Sequence, residues 1–124
     1  MRGPIIGGAL AAALGMGGAL AQSPAGDAAA GAAIFADRCA ICHLAAGGGQ
    51  GPSLEGVYAR KAAALPGFRY SAALTASGLT WTSGELDRFL AGPFKAVPGT
   101  TMAAVVSDPS QRRDLIAYLR AGSR

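Results

Sequence analysis

Side chains able to do metal or nucleophilic chemistry are scarce in this sequence. It holds two cysteines, Cys39 and Cys42, and one histidine, His43, and all three fall within five consecutive positions. A structural zinc needs about four ligands, and no second Cys or His pair exists to complete such a site. A dithiol redox couple would use the same thiols, but it leaves His43 without a role and needs a thioredoxin-like βαβ context that the sequence does not show. Lysine is almost absent, with Lys61 and Lys95 the only two, and the arginines are scattered, which argues against a nucleic-acid footprint. The stretch Gly47-Gly48-Gly49-Gln50-Gly51 lacks both the Lys-Ser/Thr ending and the preceding strand of a phosphate-binding loop. There is no internal repeat and no sign of a second domain in the 124 residues.

Nor is there an unbroken apolar run of the ~20 residues that span a membrane. The run from Pro4 to Leu20 is shorter and carries five glycines. With Met1-Arg2 before it and Ala19-Leu20-Ala21 at its end, it has the positive start, apolar middle and small-residue cleavage site of a secretory signal. Residues 1–21 are therefore expected to be a signal peptide and 22–124 the domain. The alternative is an uncleaved segment that anchors the protein to a membrane. No cysteine lies beside the cleavage site to carry a lipid. Export of a bacterial-looking chain implies the periplasm, an oxidising compartment where a free Cys pair is exposed to disulfide formation. Loss of Arg2 with the leader leaves ten basic and seven acidic side chains, a net charge of only +3.

Against this sparse background stands Cys39-Ala40-Ile41-Cys42-His43. Two thiols two residues apart, followed at once by an imidazole, form the attachment signature of a c-type haem. On a helix, positions i, i+3 and i+4 share a face, so the spacing predicts that both thiols and the imidazole point at one object. The expected cofactor is one haem c, covalently bound through Cys39 and Cys42, with His43 on the iron. Covalent capture also removes the disulfide hazard.

The rest of the chain supplies helices and turns. Asp27 is an N-cap for the Ala-rich segment that brings Ile34 and Phe35 to the core and leads to the Cys pair. The Gly/Ala run 45–51 is a loop, and Pro52 after it offers a free carbonyl for the second ring nitrogen of an axial His. Arg60 and Tyr70 are either a solvated surface pair or partners for a buried anion. Trp81 precedes a capping box, Thr82 to Glu85, and Leu86, Phe89 and Leu90 make one apolar stripe that Gly92-Pro93 ends. Lys95 to Met102 reads as an irregular loop around Pro98-Gly99. Met102 is the only methionine outside the leader; on its own such a residue is a core filler more often than a ligand. Asp108-Pro109 opens a last helix with Leu115, Ile116 and Leu119 on its apolar face and Gly122 past its end. Arg112 and Arg113, at the dipole-unfavourable start, are expected to be solvated or paired with Asp114.

Taken together, Gly31, Phe35, the Cys39–His43 motif, Gly51-Pro52-Ser53-Leu54-Glu55-Gly56 and Pro98-Gly99-Thr100-Thr101-Met102 make the chain resemble a class I cytochrome c from Gly31 to Leu119. The resemblance implies an all-α fold of about four to five short helices wrapped around one covalent haem, with the N- and C-terminal helices crossing near Gly31. It assigns the Pro52 carbonyl to His43, Leu54 to the pocket wall, Met102 to the sixth coordination position, and Arg60, Tyr70 and Trp81 to the haem propionates. Phe89 and Leu90 then belong to the haem wall. The family usually has Tyr at the position of Phe89 and often Asn at that of Leu74, so a hydrogen bond from that Tyr to the methionine sulfur should be absent. The glycine loop is shorter than in mitochondrial members, which points to the smaller bacterial relatives.

With both axial positions filled, such a centre is suited to moving single electrons rather than binding substrate. The expected function is a non-enzymatic, monomeric one-electron carrier between a periplasmic or membrane donor and a terminal oxidase or reductase. Its partners would be transient redox proteins, peripheral to membrane complexes, and not nucleic acid. The alternatives are an electron-transfer subunit bound to a dehydrogenase or membrane complex, favoured by the thin positive charge, and a haem enzyme or ligand sensor with a labile Met102.

Overall fold

Asp27 starts the first helix as its type and position predict: its Oδ1 accepts hydrogen bonds from the N–H groups of Ala29 (2.8 Å) and Ala30 (3.2 Å). The computed structural model describes Gly3, Pro4 and residues 25–123, so the expected leader over 1–21 lies, those two residues aside, outside the described residues. Within them are five helices, α1 (Ala28–Arg38), α2 (Ala72–Ala76), α3 (Ser83–Ala91), α4 (Pro93–Ala96) and α5 (Pro109–Arg120). The sole β feature among the described residues is an isolated bridge between Lys61 and Thr80. None of these helices is long and apolar enough to cross a membrane.

α1 and α5 pack against each other, and Gly31 is the reason they can. A Cβ at that position would lie 2.0 Å from the Asp114 carbonyl oxygen and 2.9 Å from Cβ of Tyr118, so only a residue without a side chain lets the two backbones meet. Beside the contact, the Phe35 and Tyr118 rings meet at a tilt, their centres 5.2 Å apart. The Asp114 carboxylate accepts the Asp27 backbone N–H at 2.8 Å, which ties the start of α1 to α5. That corrects the expected pairing of Asp114 with its neighbouring arginines. Arg112 is not solvated either: its side chain is 12% exposed and pairs with Asp87 of α3 at 2.7 Å.

The other caps follow the sequence in part. Asp108 Oδ1 accepts from Ser110 N–H at 2.7 Å with Pro109 in the first turn. Thr82 Oγ1 accepts from Glu85 N–H, but the Glu85 carboxylate turns to Arg88 instead of reaching back, so only half of a capping box forms. α3 buries Leu86, Phe89 and Leu90, and α5 buries Leu115, Ile116 and Leu119; with Val57, Trp81, Val97 and Val106 they make the core. Each such side chain contributes about 1.5–3 kcal/mol by leaving water.

Two expectations about local structure are corrected. The Cys39–His43 motif is not a continuation of α1, because the N–H groups of Cys39 and Ala40 both donate to Phe35 O at 2.9 Å and the helix unwinds there. A separate turn follows, in which Cys42 and His43 N–H converge on Cys39 O at 3.1 and 2.9 Å. Lys95 is not in an irregular loop: Gly92-Pro93 ends α3 and also begins α4, since proline is well suited to a first helical position, and Lys95 lies exposed within that turn.

Candidate functional site

The attachment turn opens onto a cavity of about 330 Å³, within the ~300–1,000 Å³ usual for small-molecule and cofactor sites and far above the voids left by ordinary packing. Cys39 and Cys42 are both free thiols and both border it. Burial pushes the Cys39 thiol above its ordinary value; the Arg38 charge opposes that shift and Cys42 adds to it. The Cys42 thiol faces Gln50 Oε1 at 3.8 Å.

His43 is half-buried, and its Nδ1 lies 2.8 Å from the Pro52 carbonyl oxygen. A carbonyl can only accept, so Nδ1–H donates, which in the neutral ring leaves the Nε2 lone pair as the one available to a metal. Proline fits here because its fixed ring holds the carbonyl while its missing N–H costs nothing. The loop before it returns to the motif through Gly51 N–H to Cys42 O at 3.0 Å.

Leu54 lines the next part of the wall, and its carbonyl accepts from Ser123 Oγ at 2.7 Å, which fastens the tail after α5 to the pocket. Arg60 and Trp81 are far apart in sequence but adjacent in space: Trp81 N–H donates to Arg60 O, and Ala59 N–H to Trp81 O, both at 2.9 Å. Trp81 is 7% exposed and meets Phe89 edge-on at 5.0 Å. Tyr70 Oη accepts from Leu65 N–H at 3.2 Å, and its ring meets Phe68 at 4.8 Å. Phe89 and Leu90 from α3 and the half-buried Met102 complete the set. All eleven side chains named from the sequence border this single cavity.

Sequence reasoning missed several others on the same wall, among them Phe68, Thr100 and Ser71, the α2 N-cap whose Oγ accepts from Leu74 N–H at 3.1 Å. Thr100 stands in the segment that leads to Met102 but was given no place on the wall, nothing local marks Phe68, and Ser71 before an Ala-rich run has the form of a cap. The lining includes three basic side chains, Arg38, Arg60 and Lys61, and no acidic one, so the site favours a guest with carboxylates. Among the described residues no three His, Cys, Asp or Glu side chains gather to hold a bare metal ion. One imidazole, one thioether and two thiols around an apolar cavity instead suit a flat metallated group that brings its own in-plane donors.

Comparison with known proteins gives a consistent picture. The family model described as "Cytochrome c" matches residues 28–123. "Cytochrome c" of Guizotia abyssinica is 42% identical over 107 residues, covering 83% of this chain and 96% of that protein. "Cytochrome c2" of Rhodomicrobium vannielii is 43% identical over 99 residues, covering 77% of this chain and 78% of its own. Among solved structures, cytochrome cH from Methylobacterium extorquens superposes with a TM-score of 0.73 at 47% identity, over 77% of this chain and 99% of that one.

Proposed function

Because this chain belongs to the cytochrome c family, whose members carry one covalent haem c and transfer electrons, we propose that it is a soluble one-electron carrier with His43 and Met102 as axial ligands. The bound haem iron supplies the one-electron couple; the polypeptide fixes its position, its axial donors and its access to water. Cys39 and Cys42 hold the group covalently. His43 offers Nε2 to the iron while the Pro52 carbonyl keeps the ring in one tautomer and orientation. The Met102 sulfur, a soft neutral donor, favours the reduced state and raises the potential. Arg60, Tyr70 and Trp81 receive the carboxylates, and Leu54, Phe89 and Leu90 keep water from the wall.

The observation that carries this reading is that the His43–Pro52 pair and Met102 border the same cavity. The leader pattern at 1–21 supports export to the periplasm, with 22–124 as the working domain, a monomer that meets its donor and acceptor in turn. A visible spectrum and redox titration of the exported protein test haem, spin state and axial pair together. A high-spin spectrum in both oxidation states would overturn the ligation.

One observation favours the second reading, a subunit fixed to a larger redox complex. Ile41, inside the attachment motif, is 82% exposed, and Leu44 just after it is 44% exposed, apolar side chains beside the attachment site of the kind that a lasting partner covers. Co-purification with a membrane complex from native extract, retained in high salt, would decide for it.

A further inference from the structure

The segment from Thr101 to Ser107 has no regular secondary structure, and among the described residues its only backbone–backbone hydrogen bond runs from Val106 N–H to Leu90 O at 2.8 Å. A stretch tied so thinly by its own backbone opens at low cost. Yet three successive carbonyls in it are taken up by arginines from elsewhere in the fold. Arg38 Nη2 donates to Val105 O at 2.9 Å. Arg112 Nη1 donates to Val106 O and to Ser107 O, both at 2.9 Å.

Each arginine is in turn held by a second helix. Arg112, near the start of α5, gives its Nε–H to Asp87 of α3 at 2.7 Å. Arg38, the last residue of α1, gives Nη1–H to Gln111 of α5 at 3.2 Å. A cation in the first turns of α5 acts against the helix dipole, so Arg112 does not serve the helix that carries it. With its side chain 12% exposed, its charge is satisfied by one carboxylate and two carbonyls, and the flat guanidinium fork can serve all three at once where a lysine could not.

We infer that Arg112, braced by Asp87 and joined by Arg38, is a positioning residue for the Met102 loop and sets how firmly the thioether is held in place. The inference rests on the reading of Met102 as an axial ligand. Neither arginine needs to touch the sulfur. They act through the carbonyls of 105, 106 and 107, which fix where the backbone leaves Met102.

The test is imidazole binding to the ferric holoprotein, followed by visible absorption, beside denaturant unfolding of the same samples. Arg112→Lys loses charge-assisted bonds and is expected to bind imidazole roughly ten- to hundredfold more tightly than the parent. Arg38→Gln should show a smaller gain. Asp87→Asn keeps both arginines and loosens only the brace; a several-fold gain there carries the test if Arg112→Lys does not accumulate. Met102→Leu is the control for the underlying reading. If it leaves imidazole affinity unchanged, the axial assignment fails. If it raises the affinity while the Arg112 and Asp87 variants lose stability without binding imidazole more tightly, the assignment stands and the arginines are merely structural.

Discussion

The backbone of Gly51 passes so close to the imidazole of His43 that a Cβ at position 51 would lie 2.5 Å from Cε1 and 2.6 Å from Nδ1. The glycine therefore acts as one side of a slot whose other constraint is the 2.8 Å bond from Nδ1 to Pro52 O. Gly51→Ala should push the ring out of that bond and destabilise the ferric holoprotein by about 1–3 kcal/mol, the usual cost of overpacking. Denaturant unfolding measures it; an unchanged midpoint would mean that the loop yields freely.

His43→Ala removes the lower donor altogether. Covalent attachment through the cysteines is expected to persist at reduced yield, but no stable low-spin spectrum should form. A normal spectrum from this variant would refute the assignment of His43.

Met102→Ala should lower the reduction potential, because the soft thioether favours the reduced iron. A hundredfold loss of that preference corresponds to roughly 120 mV. Redox titration reads the shift directly, and an unchanged value would move the sixth position to another residue.

Gly31→Ala tests the helix crossing. With a backbone oxygen 2.0 Å from the new methyl position, α1 and α5 must separate, and a loss of about 3 kcal/mol or more is expected. Spectra of the surviving folded fraction should stay close to native, since Gly31 does not line the cavity.

Electron-transfer rates with a partner should vary only weakly with ionic strength. A net charge of about +3 after loss of the leader, with an exposed isoleucine inside the attachment motif, gives little long-range steering. Stopped-flow rates across a salt series provide the measurement, and a steep fall with salt would count against an apolar contact.

Features whose partners lie within a few residues were legible in the sequence. The caps at Asp27, Thr82 and Asp108 satisfy N–H groups two or three positions on, and the attachment motif is local by construction. Gly92-Pro93 misled in one respect, since a proline that stops one helix can open the next. The unwinding at Cys39 was hidden for a different reason: the i, i+3, i+4 spacing is met by a single turn around Cys39 O as well as by a helix. Arg112 and Asp114 were unreadable because their partners, Asp87 and Asp27, are 25 and 87 positions away. Contacts across such distances follow from the packing of helices and leave no pattern along the chain.

The crossing of α1 with α5 also makes the cavity depend on both ends of the chain. Asp27 and Asp114 meet across 87 positions, Phe35 of α1 and Leu115 and Leu119 of α5 form part of the cavity wall, and Ser123 beyond α5 donates to the Leu54 carbonyl. Loss of either terminal helix would remove a part of the wall and, with it, the partner that holds the other helix in place.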